Sequence, residues 1–279
     1  MRFASCAVGD RRFAAAIIDD RAVPLDSISE LGRDTPSVLL SDPTLLWNEA
    51  VPLTEVVLRP VVPHPSKILC VGLNYFSHIG ETGRDVPDYP VLFPKFSESL
   101  IGPSDVIVLP PESHQVDYEA ELAIVIGTPG RRIARESALA HVAGYTVAND
   151  VTMRDYQYKT HQWVQGKAWE ASTPLGPWLV TPDEVGDVSA LDIRLTLNGV
   201  ELQSASIGQM IFDTATLISM ISEFTTLQVG DVILAGTPGG VGFRRDPQVF
   251  LSAGDTVIVE IPGIGTLSNR VVAEQFAAV

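Results

Sequence analysis

The apolar residues of this chain fall in short runs of strand length that end at glycine or proline. KILCVG (67–72), DVIVLP (105–110) and GDVILAG (230–236) are three of them. Such runs, rich in branched side chains and bounded by turn residues, are typical of buried β-strands. The chain holds 22 glycines and 20 prolines in 279 residues, enough for tight turns between many strands. The sequence therefore predicts a strand-rich fold.

Two segments show helical periodicity, and one segment has the pattern of a hairpin. Apolar residues recur at helical spacing over Ala134–Val142 and Gln209–Leu227, which predicts a helix in each. Residues Ser37–Ala50 also have helix potential. The run DTVIVEIPGIGTLSNRVV (255–272) carries Pro-Gly between two apolar stretches, which predicts a β-hairpin.

A proline-rich stretch divides the chain. VVLRPVVPHPSK (56–67) contains three prolines, and proline disfavours the interior of both helices and sheets. We therefore expect a small N-terminal domain over residues 1–62 and a strand-rich main domain over residues 63–279.

Charge and composition exclude several classes of protein. The chain carries 34 acidic and 19 basic residues, a net charge of −15, which argues against a surface that binds nucleic acid. Its apolar runs are too short to span a membrane, and Asp10–Arg12 interrupt the first of them, so a signal peptide is not expected. Two cysteines provide no disulfide framework. We expect a globular cytoplasmic protein that binds neither nucleic acid nor membranes.

Three carboxylates alternate along the segment QVDYEAELAIVIG (115–127). In a strand, Asp117, Glu119 and Glu121 lie on one face, where they repel each other unless a cation lies among them. One interpretation is the solvated face of an edge strand. The other is a site for a hard divalent cation such as Mg²⁺, which prefers carboxylate oxygens and water.

Two further segments carry groups that could take part in catalysis. Asp150 closes the apolar run AGYTVAN, where it could reach a cleft or simply cap a turn or helix. In GLNYFSHIGETG (72–83), His78 and Glu81 are three apart, so on a helical turn they could form a His–carboxylate pair that acts as a general base. The alternative is two exposed polar residues in a loop.

The glycine-rich run GTPGGVG (236–242) is only a weak candidate for a phosphate site. No Gly-Lys-Ser/Thr follows it, and the acidic chain offers no basic setting. Its backbone amides and Thr237 could instead hold a carboxylate.

Six segments, taken together and in this order, resemble the fumarylacetoacetate hydrolase family. They are GLNYFSHIGE (72–81), FPKFSESLIGPSDVIVLP (93–110), VDYEAELAIVIG (116–127), ANDVTMRDYQ (148–157), QGKAW…PLGP (165–177) and GDVILAGTPGGVG (230–242). Their joint order and spacing are more specific than any one of them. The resemblance implies an α+β fold with a mixed, rolled β-sandwich core behind a small N-terminal domain, and assembly as a homodimer.

The resemblance also implies a site, position by position. It consists of the metal ligands Glu119, Glu121 and Asp150, the catalytic residues His78, Glu81 and Lys167, and the substrate-binding residues Lys95, Arg154, Gln157 and Thr237. The implied cofactor is Mg²⁺ or Mn²⁺, since both ions accept three carboxylates. After the lysine this chain reads AWEAST where many relatives read differently, so Trp169 and Glu170 leave the substrate preference open.

The implied activity is hydrolysis of the carbon–carbon bond of a 2,4-dioxo acid such as an acylpyruvate. The cation would stabilise the enolate that forms when the bond to C3 breaks. Lys167 would stabilise the developing oxyanion or protonate C3, and His78 with Glu81 would activate the attacking water.

Two enzymatic alternatives use the same site, and a third reading is not enzymatic. The enzymes are an oxaloacetate-type decarboxylase and a 2-hydroxyhepta-2,4-diene-1,7-dioate-type isomerase. The non-enzymatic reading is a binding module that Ca²⁺ stabilises. A comfortable Ca²⁺ site takes about seven oxygen ligands, and the pattern offers only three carboxylates. We therefore favour an enzyme.

Overall fold

The computed structural model describes residues 1–83 and 85–275, and these residues form nineteen strands and several short helices. The strands are β1 Arg2–Val8, β2 Arg11–Ile18, β3 Arg21–Pro24, β4 Val51–Pro52, β5 Val57–Leu58, β6 Ile68–Gly72, β7 Val91–Lys95, β8 Leu100–Ile101, β9 Ile107–Leu109, β10 Val116–Asp117, β11 Ala120–Ile126, β12 Val142–Asn149, β13 Thr152–Met153, β14 Thr173–Val180, β15 Asp192–Leu197, β16 Val200–Ser206, β17 Val232–Leu234, β18 Thr256–Ile261 and β19 Gly265–Ala273.

Helices are few and short. The α-helices are α1 Ser37–Ser41, α2 Phe76–Thr82, α3 Arg154–Gln157, α4 Val164–Lys167, α5 Pro182–Val185 and α6 Thr214–Phe224. The 3₁₀ helices are Trp47–Glu49, Leu53–Glu55, Ser97–Ser99, Arg135–His141, Val188–Ala190, Ile207–Gln209 and Gly242–Arg244. Strands therefore dominate, as the sequence predicts.

Two mixed sheets carry most of the strands. The large sheet has twelve strands, with the order β4-β3-β2-β1-β14-β12-β11-β17-β6-β7, while β5 pairs with β1 and β8 with β14. The smaller sheet has the order β16-β15-β18-β19-β9. Most pairings are antiparallel, but β6 runs parallel to β17, β8 parallel to β14 and β9 parallel to β19.

The main core lies between the two sheets. Alternate residues of β11, including Leu122 and Ile124, join the same apolar cluster as Leu195 of β15 and Val259 of β18. The intervening residues Ala123 and Val125 belong to a second cluster on the other side of the large sheet. Both faces of β11 are thus buried, which accounts for the uninterrupted apolar sequence of this strand after Glu121. The layered, strand-rich α+β architecture confirms the predicted fold class.

Of three predicted elements, one is confirmed and two have different bounds in the structure. The hairpin is confirmed, with β18 and β19 paired antiparallel. The predicted helix over Ala134–Val142 is a 3₁₀ helix over Arg135–His141, because Val142 already pairs with Ile126 in the sheet. The predicted helix over Gln209–Leu227 is shorter and begins after Asp213, whose carboxylate accepts a hydrogen bond from the Thr216 amide and caps α6.

The first strands of the chain belong to the large sheet. Phe3 of β1 lies opposite Leu179 of β14, so the N-terminal hairpin extends the sheet that carries β11 and β12. The division of the chain at residue 62 stays a prediction. Within the described residues, no helix is long and apolar enough to cross a membrane.

Candidate active site

Strand register brings three carboxylates together. Ala120 of β11 lies opposite Asn149 of β12, so Glu119 and Glu121 flank the point where β12 ends and Asp150 follows. The Asp150 amide donates a hydrogen bond to the Glu119 carbonyl at 2.9 Å, which fixes this crossing. One carboxylate oxygen from each of the three residues lies within 4.8 Å of the others. We call Glu119, Glu121 and Asp150 the acidic triad.

The acidic triad is buried in the middle of the large sheet. Each of the residues Glu119, Glu121 and Asp150 is at most 5% exposed. Because β11 lies between β12 and β17, the alternative of a solvated edge strand is wrong. Asp117 lies in the separate strand β10, outside the triad.

Two lysines neutralise part of the triad. Lys167 Nζ lies 2.7 Å from Glu119 Oε2 and 2.8 Å from Asp150 Oδ2. Lys95 Nζ lies 2.6 Å from the other oxygen of Asp150. Burial lowers the pKa of Lys167, but Asp150 and Glu119 outweigh it and raise that pKa above its ordinary value. Lys167 therefore stays protonated.

A buried arginine joins the same charge network. Arg154 Nη2 lies 2.6 Å from Glu119 Oε1, and its Nε donates to Asp117 Oδ2 at 2.9 Å. Its Nη1 donates to Gln157 Oε1 at 3.0 Å. Burial raises the pKa of Glu119, but Lys167 and Arg154 outweigh it and lower that pKa to about 2. Glu119 is therefore ionised at neutral pH.

Glu121 differs from the other two carboxylates because no cation touches it within the described residues. It is 1% exposed, and its Oε2 accepts one hydrogen bond, from the Gly236 amide at 2.8 Å. Burial raises the pKa of Glu121 well above its ordinary value, and the negative charges of Asp150 and Glu119 raise it further.

A divalent cation fits this environment. The buried groups comprise four carboxylates, with Asp117 included, and three cations, so the fully ionised cluster has a net charge of 3 − 4 = −1. A carboxylate left without a counter-charge costs free energy, which a bound cation would remove. Oxygen-only donors are typical of Mg²⁺ and Mn²⁺ sites. The triad can therefore hold a hard divalent ion, whose identity the donors do not select.

A His–Glu pair lies on α2 beside this cluster. His78 Nδ1 lies 2.6 Å from Glu81 Oε1, as expected for residues three apart on a helical turn. The other oxygen of Glu81 accepts a hydrogen bond from the Gly240 amide at 2.8 Å. Glu81 thus orients the imidazole and ties α2 to the glycine-rich run 236–242. Within the described residues, His78 Nε2 has no hydrogen-bond partner.

One small cavity connects these groups. Its volume is about 40 Å³. Eight of the residues that surround it are His78, Glu119, Glu121, Arg154, Gln157, Lys167, Thr237 and Arg244. A volume of this size holds only a few water molecules.

Seven of the ten predicted site residues line this cavity, and two more, Asp150 and Glu81, each contact a residue of the lining. Asp150 lies behind Lys167, and Glu81 behind His78. Lys95 is outside the cavity lining, because its fully buried side chain lies under Asp150. It contacts the triad, and its part in substrate binding stays a prediction. The roles of the other residues also stay predictions.

Three supporting residues were not predicted from the sequence. Gln203 donates hydrogen bonds to Thr237 Oγ1 and to the Pro238 carbonyl, and so fixes the loop that carries Thr237. Asn149 Oδ1 accepts from the Glu119 amide. Asp117, which is not among the ten predicted site residues, holds Arg154 by an ion pair. Only Asp117 carried a usable signal, the acidic alternation in 115–127.

Comparison with known proteins places the chain in a family. Residues 67–272 match the family model described as fumarylacetoacetate hydrolase C-terminal. The human mitochondrial oxaloacetate tautomerase FAHD2A is 48% identical over 224 residues, 80% of this chain and 71% of the relative.

Solved structures agree. The 5-carboxymethyl-2-hydroxymuconate delta-isomerase from Mycobacterium smegmatis superposes with a TM-score of 0.84 and 34% identity, over 98% of this chain and all of that one (100%). Fumarylacetoacetate hydrolase from psychrophilic Exiguobacterium antarcticum superposes with a TM-score of 0.86 and 34% identity, over 98% and 100% of the two chains.

The fold and these matches place the chain in a class of strand-rich enzymes. The chain belongs to the fumarylacetoacetate hydrolase family. The suspected family is therefore confirmed.

Proposed function

We propose that this protein is a divalent-metal-dependent enzyme that interconverts the keto and enol forms of a 2-oxo acid of the oxaloacetate type. The observation that carries the proposal is the His78–Glu81 pair at 2.6 Å, beside a buried acidic triad in one small cavity. Tautomerisation needs one group that moves a proton at C3 and one site that stabilises the oxygen charge. The human relative with 48% identity is named an oxaloacetate tautomerase, which supports this reaction.

The triad residues would hold the cation, and the neighbouring cations would orient the acid. A bound Mg²⁺ or Mn²⁺ supplies Lewis-acid stabilisation of the charge that develops on the 2-oxo oxygen. Lys167, which stays protonated, adds a second positive charge beside that oxygen. The Thr237 hydroxyl accepts from Gln203 and so keeps its own proton available for a substrate oxygen.

His78 would carry the proton. Its Nδ1 is bonded to Glu81, so Nε2 is the nitrogen that can take a proton from C3 and return it. Glu81 holds the ring in place through the Gly240 amide.

Hydrolysis of a 2,4-dioxo acid is the second candidate. The same His78–Glu81 pair would then activate a water for attack on the 4-oxo carbon. Decarboxylation of oxaloacetate and hydroxy-dienedioate isomerisation use the same triad. A homodimer, a cytoplasmic location and a small-molecule 2-oxo acid as substrate, with neither nucleic acid nor membrane as a partner, remain part of the proposal.

The test compares three reactions in one preparation. EDTA-stripped protein receives Mg²⁺ or Mn²⁺, and oxaloacetate enol content, oxaloacetate decarboxylation and acetylpyruvate cleavage are followed separately. We expect metal-dependent enol–keto conversion faster than either cleavage. His78→Ala should slow this conversion about 100-fold or more. Faster cleavage of acetylpyruvate would replace the proposal with the hydrolase.

A further inference from the structure

Arg244 is the cation of the cavity lining that no carboxylate neutralises within residues 1–83 and 85–275. Lys167 is paired with two carboxylates of the triad, and Arg154 with Asp117 and Glu119. Arg244 lines the same cavity, but its exposed side chain makes no ion pair or hydrogen bond among the described residues. Its guanidinium therefore remains available to an anion that enters from solvent.

The backbone that carries Arg244 is held firmly. It ends the 3₁₀ helix Gly242–Arg244, and Asp117 Oδ1 accepts from the Gly242 amide at 2.8 Å while Oδ2 accepts from the Phe243 amide at 3.0 Å. On the other side, Arg245 donates to two backbone carbonyls. Because the backbone is fixed, binding of an anion has to order only the Arg244 side chain and not the loop that carries it.

An aromatic surface limits where the guanidinium can lie. Arg244 Cζ is 5.3 Å from the centroid of the Phe243 ring, and that ring lies 5.4 Å from the Tyr158 ring. Phe243 and Tyr158 both line the cavity. Contact with an aromatic face orients the planar guanidinium, whose paired N–H groups match the two oxygens of a carboxylate.

The two ends of a 2-oxo diacid need two anion receptors. The triad, with its cation, would take the carboxylate next to the 2-oxo group, which leaves the distal carboxylate without a receptor. The protein has a net charge of −15, so a second negative group on the substrate is repelled unless a local cation meets it. Arg244 is the unneutralised cation at the cavity.

We propose that Arg244 determines specificity by pairing with the distal carboxylate of a 2-oxo dicarboxylic acid. This inference rests on the proposed function, because it assumes that the 2-oxo end binds at the acidic triad. It predicts that a monocarboxylate such as pyruvate binds without using Arg244.

The experiment compares a dicarboxylate with a monocarboxylate in Arg244→Gln. The Mn²⁺-loaded protein is assayed for the KM and kcat of oxaloacetate tautomerisation, and pyruvate binding is measured by calorimetry. Loss of a charge-assisted, two-pronged contact should raise the KM for oxaloacetate about 10- to 100-fold. The kcat and the pyruvate Kd should stay within about twofold, because the contact is remote from C3.

Matched variants separate charge from geometry. Arg244→Lys keeps the charge but loses the planar fork, so its KM should fall between those of the native protein and Arg244→Gln. Arg131→Gln removes an exposed arginine outside the cavity, so the oxaloacetate KM and the pyruvate Kd should both stay unchanged.

Each remaining outcome has a definite meaning. An unchanged oxaloacetate KM in Arg244→Gln, with native activity intact, overturns the inference and leaves the proposed function standing. An equal rise of the pyruvate Kd and the oxaloacetate KM in Arg244→Gln also overturns the inference, since Arg244 would then shape the whole cavity. A native protein that neither binds pyruvate nor converts oxaloacetate overturns the proposed function and, with it, the inference.

Discussion

Each carboxylate of the acidic triad has a different electrostatic setting. Asp150 faces two lysines and Glu119 faces a lysine and an arginine, whereas Glu121 meets a single backbone N–H. Replacement of these residues should therefore have different consequences for folding, even though all three are expected to bind the same ion.

Glu121→Gln should abolish metal binding without weakening the metal-free fold. The amide oxygen can still accept from Gly236, and no cation loses its partner. We expect metal affinity to fall about 100-fold or more, with the free energy of unfolding in EDTA unchanged or higher. Manganese titration calorimetry and urea unfolding measure the two quantities.

Asp150→Asn should destabilise the metal-free protein strongly. It leaves Lys95 and Lys167 facing a neutral amide in a fully buried position, and loss of one partner of a buried ion pair costs about 3–5 kcal/mol. Urea unfolding in EDTA, run beside Glu121→Gln, measures the difference. Equal stability of the two variants would contradict the assignment of counter-charges.

The sequence was sufficient to identify the residues that carry the charged groups of the site, but not the residues that hold those groups in place. Glu119, Glu121 and Asp150 were recognisable from a family pattern, and the structure brings them within 4.8 Å. Gln203 could not be found, because a single glutamine in the exposed-looking run VELQSAS gives no sign that its amide will hold Thr237. Such contacts depend on tertiary placement, which local sequence does not encode.

Elements position the site through a few close approaches. Helix α4 packs on α3 at Gly166, where an added Cβ would lie 2.4 Å from the Gln157 backbone nitrogen. This contact places Lys167, the next residue, beside the triad. Helix α2 is tied to the run 236–242 by Glu81 and Ser77.

Gly166→Ala should displace α4 and remove most of the activity. The new methyl group collides with backbone rather than with a flexible side chain, so we expect about 1–3 kcal/mol of destabilisation. Gly80→Ala is the control, since a Cβ there meets nothing within 4 Å and alanine favours helix by about 1 kcal/mol. Thermal unfolding and activity assays compare them, and similar losses would refute the packing argument.

Element type was predictable where local pattern and tertiary context agree. The β18–β19 hairpin follows from Pro-Gly between two apolar runs, and the structure confirms it. The helix expected over Ala134–Val142 is a 3₁₀ helix that ends at His141, because Val142 belongs to strand β12 and pairs with Ile126. The apolar periodicity of a short window does not reveal such a tertiary pairing. The helix expected over Gln209–Leu227 is also shorter than predicted, because Asp213 caps α6 although the apolar pattern begins before that residue.

At the scale of the whole molecule, metal binding should be coupled to protons. Burial and the charges of Asp150 and Glu119 raise the pKa of Glu121 well above its ordinary value, so a metal ion competes with a proton for this carboxylate as pH falls. Metal affinity should therefore rise with pH. Manganese titration calorimetry at a series of pH values measures the affinity, and an affinity that does not change with pH would contradict the shift.

The same shift sets the sign of the stability change. Above pH 4.5 the unfolded Glu121 loses its proton while the folded one keeps it, so the metal-free protein should lose stability as pH rises through that window. Glu119 acts in the opposite sense: its pKa of about 2 adds stability above pH 4.5 that is lost as pH falls towards 2. Urea unfolding across pH in EDTA, with Glu121→Gln as control, separates the two contributions.

The N-terminal strands and the catalytic part should unfold as one unit. Strand β1 pairs with β14, and Phe3, Leu175 and Leu179 belong to one apolar cluster. We expect a single calorimetric transition for the full chain, and an aggregating product when residues 1–62 are removed, because β14 would become an exposed apolar edge. Two separate transitions would show instead that the segments are independent.

The pairing of β1 with β14 also bears on how the protein is made. Phe3 finds Leu179 only after 179 − 3 = 176 further residues have been synthesised. The β1–β2 hairpin can form early on the ribosome, but its apolar side must wait for a partner that emerges much later. At about 5–20 residues per second, that wait lasts roughly ten to thirty seconds. Through this interval the nascent chain exposes the apolar side of the hairpin. A holding chaperone would therefore raise the yield of folded protein most when it acts early in translation.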